Sequence, residues 1–406
     1  LKKELKTAIV LISHDMGVIA GMADKVQVMR LGEVVESGST EQVFYSPTHD
    51  YTKALLDAMP RIDRPVRDGH AMLQPLSTIG AEKRLIDVED LKVYFPIKTG
   101  GVLFSQTKPL RAVDGVSFSL RHGETLGIVG ESGCGKSTLA RAVMKLIAKT
   151  DGTVVWSGRD LGDLGSEDIR ALRKEFQIVF QDPLASLDPR MTIGESIAEP
   201  LVTLRPELSR AEVQDEVRAM MGRVGLDPNW INRYPHEFSG GQNQRVGIAR
   251  AMILKPKLIV CDEAVSALDV SIQSQIVDLI LNLQSEFGMS MIFISHDLSV
   301  VRQVAHRVMV LYLGRIVELA DRNSIYEDPR HPYTRALIAA VPVPDPKAER
   351  GKSHVTLAGD LPSPLDSRAQ LMFLKSKMID DPDAEQYRPK LIEVSTGHFV
   401  AEHDPA

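Results

Sequence analysis

Short apolar runs recur along this chain, and several end on residues able to do chemistry. Leu126–Val129 has the length of a buried strand and passes into the glycine-rich segment 130–137, GESGCGKS. Residues 138–147, TLARAVMKLI, then carry apolar positions at helical spacing. A second run at 258–261 delivers Asp262 and Glu263, as a buried parallel strand delivers acids at its C-terminal edge. A third ends at Phe180 before Gln181, and a fourth, 291–294, runs into Ser295 and His296. Ser239, Gly240 and Gly241 precede VGIARAMIL (246–254), which has a helical period. The alternation of strand, loop and helix predicts an α/β fold around a buried parallel sheet.

The pattern also repeats. Shifting the chain by 282 positions aligns residues 7–60 with 289–342 without a gap, and about twenty of these positions are identical. IVLISHDMGV (9–18) answers MIFISHDLSV (291–300), and SPTHDYTKALLDAMP (46–60) answers DPRHPYTRALIAAVP (328–342). The expected organisation is therefore the C-terminal fragment of a first copy (1–60), a linker rich in proline and charge (61–82), a complete second copy (83–342) and a C-terminal extension (343–406). Residues 9–12 are expected to form the last core strand of the first copy, with His14 orphaned from a catalytic front. The opening Leu1 is read as lying inside a longer natural protein.

The segment 130–137 fits G-x-x-x-x-G-K-[ST] in the strand–loop–helix context that this phosphate-binding pattern requires. Gly130, Gly133 and Gly135 let the backbone bring N–H groups onto phosphate oxygens at a helix N-terminus. Lys136 can reach the β- and γ-phosphates, and Ser137 can hold Mg²⁺. Asp262 suits a magnesium contact and Glu263 a base for the attacking water. Gln181 can reach the ion and the water from a loop, the backbone of Ser239–Gln242 can donate to a γ-phosphate, and His296 can contact it. Cys134 places a thiol beside the phosphates, so alkylation is expected to block nucleotide binding and ATP to protect; the alternative, and the favoured reason for its presence, is a small residue chosen only for fit. Taken singly, each of Gln181, Ser239 and His296 also reads as an ordinary surface amide, helix cap or strand end.

Composition narrows the class. At 406 residues, 43% hydrophobic and 25% charged, the chain has the balance of a globular protein of about two domains. A net charge of −6 gives no basic field for nucleic acid. Two cysteines, Cys134 and Cys261, make no disulfide framework and fit a reducing compartment. His70, His354 and His403 show no metal spacing and read as solvated surface.

In order and spacing these motifs resemble the ATP-binding subunits of ABC transporters. GESGCGKST (130–138) looks like the Walker A loop, FSGGQ (238–242) like the family signature with Phe238 for Leu, LIVCDE (258–263) like Walker B and SALD (266–269) like the D-loop. Ala264 stands where the family usually has proline. The resemblance implies an ABC-type ATPase domain: a RecA-like core, an antiparallel β subdomain and a helical subdomain. It implies ATP contacts at Phe95 (Tyr94 second), Gly130, Glu131, Ser132, Gly133, Cys134, Gly135, Lys136, Ser137, Thr138, Ser239, Gly240, Gly241, Gln242 and Asp269. It further implies Mg²⁺ at Ser137, Gln181 and Asp262, and catalysis by Glu263, His296 and Gln181. FQDPLASLDPRMTIGESIAEPL (180–201), HPYTRALIAAVP (331–342) and DLPSPL (360–365) resemble the dipeptide, oligopeptide, nickel and glutathione importers. With no cysteine after Cys261, no iron–sulfur cluster is expected. The implied setting is the cytoplasmic face of the bacterial inner membrane. The implied partners are two permease subunits, a solute-binding protein and a second ABC domain, fused in the longer protein or supplied by homodimerisation here. A soluble tandem ATPase of translation or DNA repair, or an inactive remnant, is the alternative.

Overall fold

The computed structural model describes residues 7–63, 83–99, 106–352, 366, 368–380 and 387–405. Most of the expected linker, 64–82, lies outside them, as do His70 and His354. The described strands are β1 (Lys25–Arg30), β2 (Glu33–Ser39), β3 (Arg84–Thr99), β4 (Gln106–Arg121), β5 (Thr125–Val129), β6 (Asp151–Trp156) and β7 (Arg159–Asp160). They continue with β8 (Phe176–Val179), β9 (Leu258–Asp262), β10 (Ser290–Ile294), β11 (Arg307–Tyr312), β12 (Arg315–Asp321), β13 (Leu391–Ser395) and β14 (His398–Ala401).

The main sheet has the order β13-β14-β12-β11-β5-β10-β9-β8. Strands β11, β5, β10, β9 and β8 run parallel. Every residue of β5, β9 and β10 is buried, as in strands covered on both faces. A second, antiparallel sheet, β4-β3-β6-β7, packs through Leu91, Val113, Val116 and Leu120 onto Leu126, Ile128 and the helix Lys136–Val143. A helical layer, Ile193–Leu204, Arg210–Arg223 and Gly240–Met252, buries Ile197, Val217, Met220 and Val246. Each of its helices starts with a reciprocal capping box: Thr192 with Glu195, Ser209 with Glu212, Ser239 with Gln242.

The two copies share their backbone pairing. β1 and β2 pair Lys25 with Ser39 and shift register after Val28; β11 and β12 pair Arg307 with Asp321 and shift after Val310, the positions 282 residues on. Asp15 and Asp297 each cap a seven-residue helix, and His49 and His331 each accept from the backbone two residues later. One expectation fails. Residues 9–12 form no strand, and Val10 and Ile12 are 92% and 94% exposed. Their counterparts in β10 lie between β5 and β9, and a parallel strand without such neighbours leaves its backbone groups unpaired.

The extension joins the core. β14 pairs antiparallel with β12, and the His398 ring Nε2 lies 2.8 Å from the carboxylate of the fully buried Glu318. Among the described residues no helix is long and apolar enough to cross a membrane.

Candidate active site

Three adjacent strands, β5, β10 and β9, end at one edge of the sheet, and the sequence places polar groups directly after each. After β5 the chain turns through Gly130 at φ 148° and Gly135 at φ 107°. A Cβ on Gly130 would collide with the Leu311 carbonyl, and one on Gly135 with the Ala112 carbonyl. Both positions thus need glycine for conformation and for space. Gly135 caps the helix Lys136–Val143 with no side-chain acceptor, so the first helical N–H groups point at the loop, an arrangement suited to an anion. Lys136, buried, donates from Nζ to the carbonyls of Gly130 (2.8 Å) and Glu131 (2.9 Å).

Opposite the loop, Ser137 Oγ donates to Asp262 Oδ1 at 2.6 Å. Arg141 lies 3.8 Å from the other Asp262 oxygen. Glu263 stands between two bases, 4.0 Å from Lys136 Nζ and 3.6 Å from His296 Nδ1. Its backbone is left-handed, at φ 51°, held by its N–H donating to the Ile294 carbonyl at 3.0 Å. A non-glycine residue in that region is strained. Lys136, Ser137, Asp262, Glu263 and His296 thus converge.

The other expected residues are placed less directly. Ser132 and Gly133 are exposed at the loop tip, and Thr138 is half-buried in the first helical turn. Glu131 donates its N–H to Tyr333 Oη at 3.2 Å. Gln181 is exposed in a bend after β8; Val179 pairs with Cys261, so Gln181 leaves the sheet at the edge where Glu263 does. Phe95, 41% exposed on β3, pairs with Leu110, two residues from the Ala112 carbonyl that packs on Gly135. Tyr94 is instead committed to Asp114 by a 2.5 Å hydrogen bond. Ser239 and Gln242 bond each other, with Gly240 and Ser239 exposed and Gly241 closed against Ile272. Asp269 caps Val270–Phe287 through the N–H of Ile272.

Cys134 corrects an expectation. It is 5% exposed, its Sγ packs toward Gly130, and burial pushes its thiol pKa up, opposed in part by Lys136. A buried, protonated thiol is a poor target for alkylation. His403 is not simply solvated: its ring lies 5.2 Å from His331 and Nε2 meets the Arg330 carbonyl at 3.2 Å. Sequence reasoning did not single out Tyr333, His331 or Glu318. All three are identical between the copies, and that repeat identity was the available signal. Asp114, which has no counterpart in the repeat, gave none.

The ABC transporter family model matches residues 113–266. The model for the oligopeptide/dipeptide transporter C-terminal region matches twice, at 35–79 and 317–369, with starts again 282 residues apart. The oligopeptide transport ATP-binding protein OppF of Salmonella typhimurium is 56% identical over 326 residues, 80% of this chain and 97% of that protein. The glutathione import ATP-binding protein GsiA of Escherichia coli O6:H1 is 47% identical over 417 residues, 99% of this chain but 64% of that protein's length. Among solved structures, a dimeric post-hydrolysis ATP-binding cassette, MJ0796 bound to ADP and Pi, matches with TM-score 0.52 and 27% identity, over 58% of this chain and 98% of that one.

Proposed function

The chain belongs to the ATP-binding proteins of ABC importers, of the type with an oligopeptide/dipeptide C-terminal region, and from that premise we propose that residues 83–342 are its complete ATPase cassette and 130–138 its phosphate loop. Residues 1–60 are then the end of a first cassette and 343–406 the extension. The observation that carries this reading is the convergence of Lys136, Ser137, Asp262, Glu263 and His296 at the ends of three parallel strands. On ATP binding Lys136 exchanges the carbonyls of Gly130 and Glu131 for phosphate oxygens. The loop N–H groups from Gly130 to Thr138 cradle the phosphates, and Phe95 stacks on adenine.

Magnesium fits the site. Ser137 and Asp262 offer a hydroxyl and a carboxylate oxygen 2.6 Å apart, hard donors that leave room for phosphate and water, with Gln181 completing the set from its loop. Bound there, the ion would neutralise charge developing on the phosphates. Glu263 orients a water and takes its proton as the water oxygen attacks Pγ and the bond to the ADP oxygen breaks. His296 holds the γ-phosphate beside Glu263. Ser239–Gln242 and Asp269 face outward to serve the phosphate loop of an opposing cassette, so closure needs a second ABC domain, fused or from another copy.

In the cell the protein lies against the cytoplasmic face of the inner membrane. It drives two permease subunits fed by a solute-binding protein. The solute is a peptide, as the 56% identity to OppF favours. Glutathione, itself a tripeptide, is the second reading, favoured because the GsiA match spans both copies. The test is ATP turnover of the full chain and its Glu263→Gln variant. Turnover should fall at least about 100-fold with ATP binding retained. Equal turnover would remove Glu263 from the mechanism.

A further inference from the structure

Asp114 lies on β4 and is 3% exposed, yet its carboxylate serves four side chains from three parts of the chain. Tyr94 of β3 donates its hydroxyl to Oδ1 at 2.5 Å. Arg315 of β12 reaches Oδ2 at 3.3 Å. The other two donors come from the C-terminal extension: Gln370 Nε2 at 3.2 Å and Arg388 Nε at 3.0 Å, both to Oδ2. Asp114 is also tied to the phosphate loop through the backbone. Its N–H donates to the Gly314 carbonyl (2.9 Å), and Gly314 donates to the Cys134 carbonyl (2.8 Å).

Tyr94 and Phe95 are neighbours on β3, and neighbouring strand residues face opposite ways. Fixing the Tyr94 hydroxyl on Asp114 therefore fixes the face and height at which Phe95 is presented. The register of β3 on β4 shifts just before Tyr94, between Val93 and Tyr94, so the ladder alone does not hold this segment firmly.

We propose that the C-terminal extension positions the adenine-stacking strand: Arg388 and Gln370 hold Asp114, Asp114 holds Tyr94, and Tyr94 sets Phe95. This rests on the reading that Phe95 stacks on the base of ATP. Asp114, Gln370 and Arg388 are positioning residues that do not themselves touch nucleotide. The extension thereby tunes affinity for the base, while the phosphate loop keeps its own glycine-built shape.

The experiment measures affinity of the full chain for ATP and for inorganic triphosphate by titration calorimetry, in wild type and in the Arg388→Ala, Gln370→Ala double variant. Losing two charge-assisted donors should weaken ATP binding about 3- to 10-fold and leave triphosphate binding unchanged. Arg388→Lys, which keeps a cation in place, should fall between. Partial unfolding would weaken both ligands alike, so the ratio separates positioning from folding. Asp114→Asn, which keeps the shape of the side chain, should shift the ratio in the same direction. An unchanged ratio in the double variant overturns the proposal and leaves the ATPase reading intact. Failure of wild type to bind ATP overturns both.

Discussion

His331 shows how one buried side chain couples folding to pH. It caps the helix Pro332–Ala340 by accepting the Tyr333 N–H at Nδ1, and it is 1% exposed. Burial, with the nearby His403, lowers its pKa from 6.5 to about 3. The folded state therefore binds fewer protons than the unfolded chain between those values, and stability falls as pH drops from 6.5 toward 3, by at most about 5 kcal/mol. His331→Asn keeps a cap but not the titration, so its unfolding free energy should slope less across that window in urea melts. Within the proposed phosphate loop, Cys134 should react slowly with iodoacetamide whether or not MgATP is present, as its burial dictates. Rapid, ATP-sensitive labelling would show an open loop. Gly135→Ala forces a Cβ against the Ala112 carbonyl at φ 107°, and calorimetry should show ATP binding lost.

At the scale of elements, the same pattern has two fates. Residues 9–12 and 291–294 are both apolar runs before Ser-His-Asp, yet only the second is a strand, since a strand is defined by its neighbours and not by its own residues. That is why the sheet edge carrying the proposed site was legible in the sequence: Asp262, Glu263 and His296 each close or follow a run whose flanking strands are present. It is also why the fate of Ile9–Ile12 was not. Local signals carried the capping boxes and the glycine loop. The extension itself was legible, but its strands β13 and β14 and their docking were not, because His398 acquires its place from Glu318, 80 residues away in sequence. Its carboxylate also accepts the N–H groups of Arg330 and His331, as Glu36 accepts those of Thr48 and His49 in the first copy. His398→Ala removes one partner of a buried carboxylate and should cost about 1–3 kcal/mol in urea unfolding. Led by the Thr48 N–H, the bonds to Glu36 lower its pKa to about 2, so this turn loses stability as pH falls from 4.5 toward 2.

Across the whole molecule, the parts of the proposed ATPase mechanism fall into two groups. Lys136, Ser137, Asp262, Glu263 and His296 face one another within the second copy, whereas Ser239, Gly240 and Asp269 face away. His14, exposed before its own Asp15-capped helix, repeats the place of His296. On the proposed mechanism this division means that two cassettes make one working site, with ATP favouring the closed pair over the separated one. Light scattering of the full chain carrying Glu263→Gln, with MgATP and then with ADP, tests this most directly. The account predicts a doubling of mass with MgATP, reversal with ADP, and turnover lost. A chain that stays single with MgATP while hydrolysing at the wild-type rate would contradict it.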